Sequence, residues 1–203
     1  MARVDDYRQA RDMAAQALAE ETMAAIAERS GLDIDDGSLR VSFLGRTYRI
    51  SFPQFQFRDV ADAEAQVPLQ EQVLILHYLQ GSRNRLTGRW IAYREIPGAS
   101  FYFGPFMQRA VEPLKKVFGD NTDALRQAAA KLNARTIATS SAAFEFDLLP
   151  FAPIQIIVWE GDEEFPAEAN ILFDASVGDY LSPEDAAWLA SLTVYRLMAL
   201  ARE

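Results

Sequence analysis

The chain has 203 residues, of which 50% are hydrophobic and 24% charged, and its formal net charge is -9. This composition excludes a fibrous or largely disordered chain, and the length allows a core that needs no disulfide or metal to hold it together. Because the sequence has no cysteine, it excludes a disulfide framework, a cysteine nucleophile, cysteine-bound zinc and an iron–sulfur cluster.

The charge is unevenly distributed along the chain. Residues 1–110 hold 13 basic and 14 acidic residues, whereas residues 111–203 hold 7 and 15. An acidic protein repels phosphate groups, so we expect no nucleic-acid partner and no binding to anionic membranes. The first residues lack the apolar core of a signal peptide, and no apolar stretch approaches the length of a membrane span. We therefore expect a soluble, cytoplasmic protein.

The first half of the chain predicts helices on either side of a β-hairpin. Alanine-rich residues 5–29 have helical spacing, and Gly31 is well placed to end that helix. Alternating residues 39–43 and 48–52 predict the hairpin, followed by a loop as far as Gln66. Residues 69–80 are apolar on most sides, which predicts a central buried helix that begins after Pro68.

The second half predicts short strands mixed with helices. The strand patterns lie at residues 90–94, 143–148, 154–159 and 170–174, and the helical patterns at 107–118, 123–132 and from Ser182 to the C-terminus. Pro113 is expected to end or kink the first of these helices. Because strands and helices do not alternate regularly, we predict a single α+β domain over residues 1–203, with a mostly antiparallel or mixed sheet.

Familiar catalytic motifs are absent from the sequence. It has no glycine-rich phosphate loop and no nucleophile elbow. The single histidine, His77, lies in the apolar helix, where a structural role is the simplest interpretation.

A first candidate surface is the arginine segment, residues 83–94. It holds Arg83, Arg85, Arg89 and Arg94 without an acidic residue, and Trp90, Tyr93 and Tyr102 lie within it or shortly after it. Guanidinium groups donate paired hydrogen bonds to carboxylate or phosphate and stack on aromatic rings. The segment therefore predicts an anion site, unless its arginines serve only to neutralise the acidic C-terminal third.

A second candidate is the acidic segment, residues 160–164, which follows Trp159 and includes Asp162 and Glu163. Clustered carboxylates at strand ends can hold Mg²⁺ or Ca²⁺, or raise one another's pKa enough for acid–base chemistry. A solvated or capping role fits the pattern equally well.

Both segments resemble one protein family. The resemblance covers residues 10–200 and rests on the runs 88–98, 113–114, 118–119, 159–166 and 171–174. The chain is similar to the bacterial and archaeal family called domain of unknown function 3786. The resemblance implies no assigned activity, although in some members the domain is joined to a cysteine-rich iron–sulfur module in a setting of corrinoid and one-carbon metabolism. This chain has no cysteine and cannot hold such a cluster itself.

The leading hypothesis is a non-catalytic domain that binds a small-molecule anion or serves as an accessory domain. In this hypothesis one concave surface collects the residues Trp90, Arg94, Glu95, Tyr102, Trp159, Asp162 and Glu163. One alternative is a hydrolase or transferase that uses Glu95 and one of Asp162, Glu163 or Asp174 with a divalent cation. Another is a structural or protein-interaction domain, which exposed aromatic side chains at 101–106 would favour. The sequence does not decide whether the protein is an enzyme, and it names no cofactor.

Overall fold

The computed structural model describes residues 4–81, 85–139 and 141–203. It confirms an α+β fold with antiparallel sheets. The described chain divides into two compact units. Unit 1 consists of residues 1–85, 149–151 and 179–181, and unit 2 consists of residues 86–148, 152–178 and 182–203. A single domain over residues 1–203 stays a prediction.

Unit 1 combines helices with a four-stranded sheet of order β1-β2-β3-β4. Its elements are α1 Val4–Ala19, α2 Met23–Ser30, β1 Asp33–Asp35, β2 Ser38–Phe43, β3 Arg46–Ser51, β4 Phe57–Asp59 and α3 Leu69–Leu79. All strand pairs are antiparallel. Leu44 and Gly45 both have positive φ at the tip of the β2–β3 hairpin, so the predicted hairpin is confirmed.

The helix predicted for residues 5–29 is wrong in one respect, because it is divided at residues 20–22. The Thr22 side chain accepts a hydrogen bond from the Ala25 backbone N–H and so starts a second helix. Gly31 ends that helix with a φ of 70°, as predicted. Residues 53–66, predicted as loop, contain β4.

The helix α3 is buried, as its apolar sequence predicts. Side chains from Val73 to Leu76 are at most 7% exposed, and α1 packs against this helix. The Tyr48 hydroxyl of β3 donates a 2.6 Å hydrogen bond to the buried carboxylate of Glu71. The predicted central helix therefore forms part of the core of unit 1.

Unit 2 contains a five-stranded sheet of order β5-β9-β8-β7-β6. Its strands are β5 Trp90–Ala92, β6 Arg135–Thr136, β7 Ala142–Phe146, β8 Ile154–Trp159 and β9 Glu168–Asp174. Its α-helices are α4 Phe103–Phe106, α5 Glu112–Phe118, α6 Thr122–Lys131 and α7 Pro183–Leu200. The 3₁₀ turns are Tyr93–Glu95, Ala99–Phe101 and Val177–Asp179, the last of which ends on a residue of unit 1. Every strand pair is antiparallel.

A π-helical turn, Met107–Val111, joins α4 to α5. Pro113 cannot donate a backbone hydrogen bond, and in an α-helix its ring would clash with the preceding turn. A wider turn before Pro113 lets the helical path continue to Phe118. Among the described residues, none of the helices combines the length and apolar character that crossing a membrane requires.

Candidate functional site

The arginine segment enters β5 through a hydrogen-bonded clamp on Asp174. The Asp174 carboxylate is buried and accepts hydrogen bonds from the backbone N–H and hydroxyl of Thr87, the N–H of Gly88, and the N–H and hydroxyl of Ser176, at 2.6–3.0 Å. The Ala175 N–H also donates to the Arg89 carbonyl at 2.8 Å. These bonds fix the chain that leads into Trp90, which is half-buried and paired with Asp174 in the sheet.

Arg94 and Glu95 lie in the 3₁₀ turn that follows β5. The Glu95 carboxylate accepts a 2.7 Å hydrogen bond from the Ala92 N–H, so this side chain secures the turn. The Arg94 guanidinium carbon lies 4.1 Å from the centre of the Phe103 ring, within the range of a cation–π interaction. Arg94 is exposed, and no carboxylate of the described residues lies within 4.0 Å of its guanidinium nitrogens.

The aromatic segment, residues 101–106, packs against Tyr93, the residue before this arginine. The Tyr93 and Phe106 rings stack with centres 4.1 Å apart, and the Tyr93 hydroxyl donates a 2.8 Å hydrogen bond to the Pro183 carbonyl. Burial, followed by the nearby Tyr102 and Glu184 side chains, raises the pKa of Tyr93 to about 12. Tyr93 therefore stays neutral at physiological pH and acts as a rigid, buried support.

The outer residues of the aromatic segment face solvent. Phe101 is 85% exposed, the highest exposure of any large hydrophobic side chain described. Interaction with the Glu184 carboxylate at the start of α7 raises the pKa of the Tyr102 hydroxyl above its usual value. Arg94, Phe101, Tyr102 and Phe103, called the Arg94 surface below, thus combine a cation with aromatic rings on a supported backbone.

The acidic segment packs against the turn between α5 and α6. The Gly161 N–H donates to the Gly119 carbonyl at 3.2 Å, and the Thr122 hydroxyl donates to the Glu160 carboxylate at 3.1 Å. Asp162 accepts hydrogen bonds from the backbone N–H groups of residues 164 and 165 at 2.8 and 2.7 Å, so it closes a tight turn. Glu163 is exposed, and Trp159 is 42% exposed.

The sheet register relates the two candidate segments to each other. Trp90 pairs with Asp174 and Trp159 with Glu168, so both indoles lie on the same face, about 20 Å apart along β9 at ~3.4 Å per residue. Because β5 and β8 both run antiparallel to β9, the chain leaves both strands toward the same end of the sheet, so Arg94 and the acidic segment follow their strands in the same direction. Residues 87–89 of the arginine segment lie at the opposite end, beside Asp174. The contacts described above join Arg94 to the aromatic segment, and a single hollow shared by all seven predicted residues stays a prediction.

The carboxylate groups of the described residues are dispersed over the structure. Among the residues with a described position, no three acidic or histidine side chains converge closely enough to hold a metal ion. Glu95, Asp162 and Asp174 each accept hydrogen bonds from backbone N–H groups, which accounts for their positions. Arg83 lies outside the described residues.

Sequence reasoning missed a second arginine–aromatic contact in unit 2. The Arg109 guanidinium carbon, in the π-helical turn, lies 5.6 Å from the centre of the Trp188 ring in α7. Pro113 indicates an irregular turn near Arg109, because its ring would clash with a regular helix there. The sequence does not show that this turn is π-helical or that it brings Arg109 to Trp188.

Comparison with known proteins identifies a family without supplying an activity. A family model described as "Domain of unknown function (DUF3786)" matches residues 22–196. No curated protein and no solved structure matches the chain. Since the match covers most of the 203 residues and includes both candidate segments, the chain belongs to the domain of unknown function 3786 family.

Proposed function

We propose that the protein is a non-catalytic accessory domain that binds an acidic segment of a protein partner through the Arg94 surface. The observation that carries the proposal is Arg94, which stacks on Phe103 and has no carboxylate partner among the described residues, together with the exposed Phe101 two residues before Phe103 in the chain. An exposed Phe side chain forgoes roughly 1.5–3 kcal/mol of stabilisation that burial would supply. A partner that covers it would recover that stabilisation.

The surface has the composition of an interaction site. Aromatic residues and arginine are enriched in protein interfaces and carry most of their binding energy. The stacked Arg94 keeps its hydrogen-bond donors available for a carboxylate, which it can bind with paired bonds. Because Tyr93, Phe106 and Pro183 hold the supporting backbone in place, little ordering is needed on binding.

The chemistry of the partner follows from charge and exposure. An uncompensated guanidinium favours an anionic partner, and Phe101 favours one that also offers an apolar side chain. Small-molecule sites enclose most of their ligand, whereas Phe101 projects into solvent. These features favour an acidic, partly apolar protein segment over a free small anion. A cytoplasmic location and the corrinoid and one-carbon setting belong to the same proposal, with the partner being a protein of that metabolism.

A peptide selection tests the proposal. A library of random linear peptides is selected on the full chain, and the affinities of the enriched peptides are measured for the wild type and for Arg94→Ala, Arg94→Lys and Phe101→Ala. Phe165→Ala is the matched control, because Phe165 is also an exposed aromatic side chain of unit 2. We expect acidic peptides that lose at least about tenfold in affinity with Arg94→Ala or Phe101→Ala, as interface hot spots do.

Arg94→Lys tests whether peptide affinity depends only on the positive charge or also on the planar guanidinium group. We expect it to bind more weakly than the wild type, because lysine presents a point charge in place of a planar pair of donors. Peptides that bind Phe101→Ala and wild type equally would contradict the proposal, as would a selection that enriches no acidic sequence. A rise in melting temperature with millimolar phosphate or citrate that Arg94→Ala abolishes would assign the surface to a small anion instead.

A further inference from the structure

The four-stranded sheet of unit 1 carries a row of arginines on its exposed face. On the opposite face the side chains are buried, among them Val41, Tyr48 and Ile50. On the exposed face the register places Arg40 opposite Arg49, and Arg49 opposite Arg58. Like charges directly opposite each other in a sheet repel, so this arrangement requires compensating acids.

Among the described residues, acidic side chains compensate these arginines at the β1 edge of the sheet. In β1, Asp33 lies opposite Arg40, and the Asp35 carboxylate is 2.7 Å from Arg49 and 3.8 Å from Arg40. At the other edge, in β4, Arg58 is exposed, and no carboxylate within the described ranges lies within 4.0 Å of its guanidinium nitrogens. On the arginine face, the sheet therefore ends in acidic side chains at β1 and in Arg58 at β4, while Asp59 of β4 belongs to the other face.

The strand β4 also has free backbone groups along its outer edge. The Ser51 N–H donates to the Gln56 carbonyl at 3.0 Å, and the Val60 N–H donates to the Thr47 carbonyl at 2.9 Å. In an antiparallel pair of strands, alternate residues direct their backbone hydrogen bonds to the neighbouring strand. The N–H and C=O groups of Arg58 therefore point toward β3, whereas those of Phe57 and Asp59 point away from the sheet. Within the described part of the chain, no hydrogen bond occupies those outward groups.

The strand β1 indicates what would complete this edge. Its sequence Asp33-Ile34-Asp35 places both carboxylates on the arginine face, because alternate residues of a strand share a face. We propose that the β4 edge binds an extended segment of a partner protein with the same acid–apolar–acid pattern. The segment would add a fifth strand, bonded to the backbone at residues 57 and 59 with an acidic side chain beside Arg58.

Short synthetic peptides test this strand addition directly. The probes are an octapeptide that alternates aspartate with isoleucine or threonine, a twin with lysine in place of aspartate, and an aspartate peptide N-methylated at its isoleucine and threonine residues, whose N–H groups would face β4. We expect the wild type to bind the aspartate peptide at least tenfold more tightly than either of the others. Hydrogen exchange at the Phe57 and Asp59 amides should slow when the peptide binds.

Charge reversal supplies the matched comparison. Arg58→Glu should bind the lysine peptide in preference to the aspartate peptide, whereas Arg8→Glu, an exposed arginine of α1, should keep the wild-type preference. Circular dichroism confirms that each variant is folded. In Arg94→Ala the peptide should still slow hydrogen exchange at the Phe57 and Asp59 amides, and this readout at β4 distinguishes failure here from failure of the proposed function.

Three outcomes would overturn the inference. Equal binding of the N-methylated peptide would exclude strand pairing, because that peptide lacks the required N–H donors. If the aspartate peptide does not bind at millimolar concentration, the β4 edge is not a binding site, and Arg58 serves instead to prevent edge-to-edge aggregation. Oligomers that form without peptide and that Arg58→Glu abolishes, seen by sedimentation, would make a second copy of the chain the occupant.

Discussion

Asp174 is a buried carboxylate that is held in its charged form. Burial acts to raise its pKa, but the hydrogen bonds from Ser176 and Thr87 outweigh burial, and the pKa lies below the ordinary value of 3.8. A group whose pKa is lower in the folded state stabilises the fold above its unfolded pKa and loses that effect as the pH falls. The clamp at the start of β5 is therefore weakened by strong acid.

Asp174→Asn tests the clamp. The amide keeps the shape of the side chain but loses the charge and one acceptor, so we expect the free energy of unfolding at pH 7 to fall by about 2 kcal/mol. Urea denaturation measures this change, with the exposed Asp123→Asn as control. The difference from the wild type should shrink as the pH falls below 3.8. A difference that is independent of pH would show that the charge does not stabilise the fold.

Tyr93 provides a prediction in the alkaline range. Burial is the main cause that raises its pKa to about 12, from an ordinary value of 10. The neutral hydroxyl therefore makes its full contribution to the free energy of unfolding below pH 10. That contribution is lost as the pH rises from 10 through 12. Tyr93→Phe removes the hydrogen bond to Pro183, and we expect a loss of about 1 kcal/mol at pH 8.

The stability difference between wild type and Tyr93→Phe should stay constant from pH 7 to 9.5 and shrink above pH 10. Denaturant unfolding at a series of pH values measures it, and Tyr195→Phe, at an exposed tyrosine of α7, is the control. A decrease that begins well below pH 10 would contradict the raised pKa. It would mean that the Tyr93 hydroxyl is more accessible to water than its packing implies.

At the scale of elements, α7 has the most complete N-terminus in unit 2. The Ser182 hydroxyl accepts a hydrogen bond from the Asp185 N–H at 3.1 Å and donates to the Asp185 carboxylate at 2.7 Å. Pro183 occupies the first turn, where no backbone donor is needed. The Pro183 carbonyl at this end of α7 accepts the hydrogen bond from the Tyr93 hydroxyl. The cap thus stabilises the helix end that holds Tyr93, the residue before Arg94.

Ser182→Ala should reduce the free energy of unfolding by about 1 kcal/mol, the typical effect of losing an N-terminal cap. It should also speed hydrogen exchange in the first turn of α7 and at Tyr102. Ser100→Ala, at an exposed serine, is the control. Faster exchange confined to the Ser182 turn would show that the aromatic segment is held independently of the cap.

Most elements of the fold could be predicted because their signals are local. The β2–β3 hairpin was marked by Gly45, and α7 by Ser182 and Pro183, so both were placed correctly. The break in the first helix was missed, because Thr22 competes with a continuous alanine-rich pattern. The strands β1, β4 and β6 are two or three residues long, too short for alternation to reveal them.

At the scale of the whole molecule, the sequence identified the segments of the candidate site but not their partners. It predicted Arg94 and Tyr102 as binding residues, whereas the stacking of Arg94 on Phe103 and the effect of Glu184 on the Tyr102 pKa depend on tertiary packing. It also proposed Asp174 as a catalytic candidate, and part of the clamp that engages this carboxylate comes from Thr87 and Gly88, 87 and 86 positions away in the chain. Residue type indicated which side chains could bind an anion or a metal ion, and long-range contacts determined which of them remain free to bind a partner.

The most direct test of the Arg94 surface is amide chemical-shift mapping with an acidic peptide taken from the selection. The peptide is titrated into the isotope-labelled full chain, and shifts are followed for every assigned amide. We expect the largest shifts at residues 94–103, with little change at the exposed Phe165, and their loss in Phe101→Ala. Shifts centred elsewhere in the chain, or shifts at residues 94–103 that persist in Phe101→Ala, would contradict the account.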